Sequence, residues 1–412
     1  MTHALTRPPA APAPEAPAPP RGRVLGVDLA RGLALLGMMA VHSLDETDAA
    51  GNATWTSVLV GGKSAALFAV LAGVGIAFTT GRARVPLRSD RALPTAVGLV
   101  VRGLAVGLVG LLLGGNDASV AAVILAYYAL LFVAAVPLVF LGRRTLLVLG
   151  GLLVLAAPVA SQALRAHLPV ATGTNPSFTG LVGDPLGLLT ELTVTGYYPV
   201  LSWLPYLCVG LAVGRMRLTS ARTAATLAGA GTALAVAAVV VSDRLLARGL
   251  PAILAASTGA DPDAVHEALT VGPDGVTPTT TWWWLAVDTP HSSTPPDLAL
   301  TIGVALAVLG VALLADHVRS GVLDLVRAPL AAAGGMTLTF YALHVLFINS
   351  DLDVYGPTAG YVIQVVAVLL LGWGWRATAG RGPLEAAVSA LSRRAARAVA
   401  AARSGRPARS LT

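Results

Sequence analysis

Three ionisable side chains interrupt the first apolar run of the chain, VLGVDLARGLALLGMMAVHS over residues 24–43: Asp28, Arg31 and His42. Charge in a long apolar run is costly to keep and marks function by default. The spacing groups the three. At 100° per residue, the step from Arg31 to His42 is three helical turns plus about 20°, so both side chains fall on one stripe, roughly 16 Å apart along the axis. Asp28 and Arg31, at i and i+3, share that stripe and can pair. One helix thus carries a charge-recognition end and a titratable end on the same face. A competing reading makes Asp28–Arg31 a self-neutralising pair and His42 a polar cap.

Other runs add polar groups. Lys63 lies about six residues, or roughly 9 Å, below the end of the second apolar run, and His344 some fourteen residues into the ninth. Both could approach His42, as base partner or as stabiliser of developing negative charge. Snorkelling would equally explain Lys63, and a helix–helix hydrogen bond His344. Arg102, inside the third run, fits a partner for Asp28, a lipid phosphate contact or a ligand contact. His291, in the segment Pro290-His291-Ser292, is either a second histidine beside His42 or a solvated loop residue. Cys208 is the only cysteine, which excludes an intrachain disulfide and a cysteine metal cage. The histidines lack paired ligand spacing on a helix, so no metal centre is expected.

These residues need elements to hold them, and the composition says which kind. Of the 412 residues, 55% are hydrophobic and 12% charged, with mean hydropathy +0.73. So little charge cannot cover a solvated surface, which excludes a soluble enzyme, a disordered chain and a nucleic-acid binder. The chain reads as all-α, a polytopic helical membrane protein of about ten spans, near 25–44, 57–80, 93–114, 119–141, 145–163, 197–214, 221–244, 298–315, 330–349 and 357–375. Residues 1–22 read as a disordered Pro/Ala-rich cytoplasmic tail, 23–376 as the membrane domain and 377–412 as a basic cytoplasmic tail. No cleaved signal is expected, since the first apolar run begins near Leu25 and is long enough to remain as a span.

Net charge is +7, but sidedness matters more than the sum. With both termini inside, all of the 28 basic residues fall on inner flanks except Arg31, Lys63, Arg102, Arg165, Arg244 and Arg248. That places the Arg31 end of the first span inside and the His42 end outside. Small-residue faces, Gly103-x-x-x-Gly107 and Gly73/Gly75, allow close helix approach and are compatible with a homodimer. Two long outer loops, 164–196 and 245–297, are expected to be functional or partly structured. The second carries Trp282-Trp283-Trp284, read as an interfacial belt or as a stacking platform for an acceptor. No long internal repeat is evident, which counts against an inverted-repeat transporter.

The D-x-x-R-G motif opening the first span, followed by Arg31-x10-His42, resembles the transmembrane acyltransferases, which include the acyltransferase-3 and the heparan-alpha-glucosaminide N-acetyltransferase-like families. GGKSAALFAVLAGVGIAF (61–78), GGMTLTFYALHVL (334–346) and Pro290-His291-Ser292 are similar to stretches of bacterial members of the latter, and Arg381-Gly382-Pro383-Leu384-Glu385 to the tail of a sister family. The resemblance is scattered over most of the chain. It implies acyl transfer across the cell membrane from cytoplasmic acyl-CoA, most simply acetyl-CoA, to a hydroxyl or amine of an outer glycan or lipid-linked acceptor. On that reading His42, Lys63 and His344 are catalytic, Asp28, Arg31 and Arg102 hold the donor, and Asn52, Trp55 and His291 face the acceptor. One position departs from the family pattern. The lysosomal member carries asparagine where His42 stands and its active histidine three residues before a tryptophan, where this chain has Asn52 before Trp55, so the role passes to His42. The competing functions are a secondary transporter or flippase lined by the same charges, and a non-catalytic membrane scaffold.

Overall fold

A computed structural model describes residues 24–273 and 275–405; the expected tail at 1–22 lies outside them. The described residues form helices and no strand, with one isolated bridge between Thr47 and Ala53. In chain order the helices are α1 (Leu25–Ser43), α2 (Trp55–Val60), α3 (Lys63–Thr79), α4 (Ala92–Leu113), α5 (Leu125–Leu138), α6 (Arg143–Arg165), α7 (Phe178–Gly183), α8 (Pro185–Thr190), α9 (Val200–Gly214), α10 (Ala221–Ala256), α11 (Pro262–Thr270), α12 (Pro295–Ala315), α13 (Gly321–Gly334), α14 (Thr337–Ile348), α15 (Pro357–Thr378) and α16 (Pro383–Ser404).

Among the described residues seven helices are long and apolar enough to cross a membrane: α1, the α2–α3 unit, α4, α6, α10, α12 and α15. Two bent pairs raise the number to nine: Pro185–Thr195 with α9, at 54°, and α13 with α14, at 80°. This is a multi-pass membrane architecture, with fewer regular spans than the ten expected. The difference falls on residues 119–141. Only Leu125–Leu138 of that apolar run is helical. The preceding stretch is held open by Asn175, whose Oδ1 accepts from Val123 N at 2.7 Å and whose Nδ2 donates to Ala121 O at 3.0 Å. A side chain from a distant loop satisfies backbone groups that a helix would otherwise pair.

α1 sits at the centre, packed against α3, α12, α13 and α15. Asp316 Oδ2 accepts from Gly26 N at 2.8 Å and so serves one orphan amide at its start. α13 crosses α1 beside Asp28. A Cβ on Gly334 would collide with Asp28 O, and one on Gly32 with Leu330 O, so the close crossing requires glycine on both helices. Gly103 and Gly107 admit Ala129 of α5, as a small-residue face should. Gly73 admits α9, whereas Gly75 makes room for Arg31, whose Nη2 would stand 3.0 Å from an added Cβ.

Two expected boundaries shift. α10 runs on to Ala256, and the segment after it holds α11 and a 3-10 turn, Trp282–Ala286. The expected tail 377–412 is largely helix α16, laid along α4 with Ser392 Oγ donating to Gly98 O at 2.7 Å.

Candidate active site

Two cavities open on either side of one layer of α1, and α1 contributes to both. The first, about 180 Å³, is lined by Arg31, Met38, Arg102, Tyr128 and Tyr341 among others. The second, about 390 Å³, begins at Val41 and His42 and is lined by Glu46, Glu191, Tyr198 and His291. Met38, Ile124 and Tyr341 close the first, while Val123 and His42 open the second. The Tyr341 ring centre stands 6.5 Å from that of His42. The stripe shared by Arg31 and His42 therefore borders two chambers, with Tyr341 lining the first and standing beside His42 of the second.

At the Arg31 end, Asp28 is buried and its Oδ1 lies 3.8 Å from Arg31 Nη1. The pair expected at i and i+3 forms, and Gly75 leaves space for the guanidinium. Arg102, from α4, lines the same cavity with its guanidinium 5.6 Å from the centre of the Phe132 ring. Arg31 of α1, paired to Asp28, and Arg102 of α4 thus line one chamber. Glu385 closes it from α16. Its carboxylate accepts from Leu338 N at 2.7 Å, Thr339 N at 3.2 Å and Thr339 Oγ1 at 2.6 Å. A negative charge on the first turn of α14 satisfies orphan amides and complements the helix dipole.

At the other end, His42 Nδ1 lies 3.1 Å from His344 Nε2, with the rings stacked at 5.3 Å. His344 Nδ1 lies 2.6 Å from Gln364 Oε1. With Gln364 set so that its Oε1 faces His344, this chain orders the tautomers. A carbonyl oxygen only accepts, so His344 Nδ1 carries the proton, and its Nε2 accepts from His42 Nδ1. The free lone pair of the neutral pair then belongs to His42 Nε2. A base oriented by a second group, itself oriented by a third, is the arrangement general-base catalysis requires.

His291 approaches from the segment before α12. Thr294 caps that helix, accepting from Asp297 N at 3.2 Å, and Asp297 Oδ2 accepts from Ser293 N at 2.9 Å. The tight turn drives His291 and Ser293 into left-handed backbone, with φ of 58° and 54°. Such strain persists only where surrounding contacts over-determine it. The His291 ring rests 4.8 Å from that of Tyr197 and 5.5 Å from that of Tyr198, and its buried Nδ1 has no hydrogen-bond partner among the described residues. Burial, and then the Lys63 charge, bring its pKa down to about 4. It is a neutral imidazole at physiological pH.

The remaining expectations divide. Lys63 lies within the second span, Trp55–Thr79, as expected, and begins α3 after a break at Gly61-Gly62, where Gly62 has φ of 64°. Its Nζ donates to Gly61 O at 3.4 Å, and Asp297, Asp288 and Glu46 are the carboxylates acting on it. It lines neither chamber and stands behind His291. Asn52 is taken up by Asp48, its backbone N–H donating to Oδ1 at 2.9 Å and its Nδ2 to Oδ2 at 3.2 Å. Trp55 is 60% exposed at the start of α2. Neither reaches the His42 chamber. Nor do the three tryptophans. Trp284 is fully buried with Ile253, Ala268 and Val287, Trp283 lies against Gly249 and Trp282 is exposed. Sequence reading missed Gln364, Tyr341, Tyr128, Glu46 and Glu191. Gln364 carried a usable signal, as a lone amide in the apolar run YVIQVVAV.

The fold and paired chambers define a polytopic helical membrane protein in which the imidazoles of His42 and His344 meet beside one chamber. Residues 23–248, more than half of the chain, match the heparan-alpha-glucosaminide N-acetyltransferase catalytic family. The chain belongs to that family, and is an N-acetyltransferase-like membrane enzyme. No curated protein matches it. Among the described residues no group of three His, Cys, Asp or Glu side chains could hold a metal ion.

Proposed function

We propose that the protein moves an acetyl or other short acyl group from cytoplasmic acyl-CoA to a hydroxyl or amine of an extracytoplasmic glycan or envelope acceptor, at the plasma membrane. The observation that carries this reading is that α1 places Arg31 in one chamber and His42 in the other, across the layer of Met38, Ile124 and Tyr341. The guanidiniums of Arg31 and Arg102 match the anionic end of the donor, with Asp28 holding Arg31 in place. The acyl end would then point along α1 toward His42.

In the transfer, the acceptor N–H or O–H attacks the thioester carbonyl carbon while His42 Nε2 takes its proton. The C–S bond breaks as the new C–N or C–O bond is completed, and the leaving thiolate recovers the proton from His42. His344 stabilises the imidazolium that forms, and Gln364 keeps His344 in the accepting tautomer. His291, with the tyrosines beside it, borders the chamber in which the acceptor binds. The same geometry serves a route through a transient acyl-histidine, in which His42 Nε2 itself attacks.

The test uses purified protein in liposomes, labelled acetyl-CoA on the Arg31 side and extracted envelope glycans on the other. Label reaching the glycans is the expected result. Retention of all label as acetyl-CoA, with the protein folded, would overturn the reading.

A further inference from the structure

The Arg31 chamber does not end at Arg102. A groove of about 560 Å³ between α4 and α16 continues from it, sharing Thr79 and Arg102 as lining residues. Along α16 the order is direct: Glu385 and Val388 face the chamber, then Ser389, Ser392 and Arg393 face the groove. Both walls are fixed. Glu385 pins the start of α16 to α14, and Ser392 bonds Gly98 of α4.

The groove is cationic. Arg91, Arg102 and Arg393 line it, with Thr95, Ser389 and Ser392 as neutral donors. Asp90 also lines it, but its Oδ1 pairs with Arg403 at 3.8 Å. Glu385 is spent on the α14 amides. Arg91 gives one Nη2 contact to Thr80 O at 3.3 Å, which leaves most of its fork for a ligand. Arg102 and Arg393 form no ion pair among the described residues; Arg31 and Arg393 are the cations that act on Arg102, and Glu385 is the carboxylate that partly offsets them. A multiply charged anion entering the groove would meet exposed Arg91 and Arg393 on its walls and half-buried Arg102 at its inner end.

We propose that this groove binds the phosphorylated nucleotide of the donor, with Arg393 and Arg91 on a phosphate monoester and Arg102 at the junction with the chamber. The assignment rests on the acyl-CoA reading and deepens it. It gives α16, which lies beyond the family match at residues 23–248, a role in donor binding. The shared chemistry is a phosphate, and a phospholipid headgroup would offer the same group.

The experiment compares wild-type protein with Arg393→Gln and Arg91→Gln, in phosphatidylcholine liposomes with and without phosphatidylglycerol. Binding of adenosine 3′,5′-bisphosphate is measured alongside transfer from acetyl-CoA and from 3′-dephospho-acetyl-CoA. Loss of a charge-assisted contact weakens bisphosphate binding about ten-fold. The KM for acetyl-CoA rises by the same factor, while kcat and the KM for the dephospho donor stay as they were. Arg397→Gln, outside the groove, changes neither donor. An equal KM rise for both donors, or an effect seen only with phosphatidylglycerol, overturns the nucleotide assignment in favour of a general or lipid role. Arg393-dependent bisphosphate binding without any acyl transfer supports the groove while removing the reaction. Transfer that is indifferent to Arg393 and Arg91 removes the groove alone.

Discussion

Replacing Gln364 by Leu isolates the tautomer argument, because Gln364 lines neither chamber and touches the reaction only through His344. In the wild type, Gln364 Oε1 accepts from His344 Nδ1 at 2.6 Å, and His344 Nε2 faces His42 Nδ1 at 3.1 Å. Without the carbonyl oxygen, the buried His344 Nδ1–H is left unpaired at a cost of about 1–3 kcal/mol. The ring can avoid that cost by moving its proton to Nε2. That proton would then meet the one on His42 Nδ1, so His42 must also switch and lose its free Nε2 lone pair. The productive tautomer therefore falls roughly 5- to 150-fold. The expected result is a kcat reduced by that range, a donor KM unchanged and a folded protein, read from initial rates with labelled acetyl-CoA and a thermal midpoint. A Gln364→Glu variant, which keeps an acceptor at the position, retains more activity than Leu. Full kcat in a folded Gln364→Leu protein would refute the relay.

Two further outcomes follow from other contacts. Glu385→Ala strips the α14 start of its acceptor and is expected to cost about 1–2 kcal/mol, seen as a lower thermal midpoint; an unchanged midpoint would contradict the strap between α16 and α14. His291, held at about 4 against an ordinary 6.5, stays neutral in the folded protein while the unfolded chain takes up a proton. Its contribution is present above pH 6.5 and is lost as pH falls toward 4, at about 1.4 kcal/mol per unit. Between pH 7 and pH 5 the wild type should lose about 2 kcal/mol more than His291→Gln, and equal losses would mean that His291 is not buried as described.

The first helix was the most legible part of the chain, because helical periodicity alone puts Asp28, Arg31 and His42 on one face. His344 could be nominated as an isolated imidazole in an apolar run, and so could Gln364, whose amide carries no charge and was passed over. Lys63 falls inside the second span as read, but a hydropathy window cannot see the break at Gly61-Gly62 that sets it at a helix start lining neither chamber. Residues 119–124 misled for a related reason. Their apolar content fits a span, but Asn175, over fifty residues away, accepts from the Val123 amide and donates to the Ala121 carbonyl, groups that a helix would otherwise pair. Asn52 and Trp55 were drawn in by a family pattern whose polar positions this chain exchanges, and Asp48 holds Asn52 away from the chamber. The packing of α16 along α4 was hidden in a segment whose arginines read only as an inner-facing tail.

The central claim is that His42 Nε2 is the group that takes the acceptor proton or carries the acyl group. It is tested most directly by measuring acyl transfer and acetyl-CoA binding together in His42→Ala, reconstituted beside the wild type. The account predicts a loss of transfer of about 10²- to 10⁴-fold with donor binding intact, since the Arg31 chamber is untouched. Transfer at the wild-type rate in that variant would contradict it.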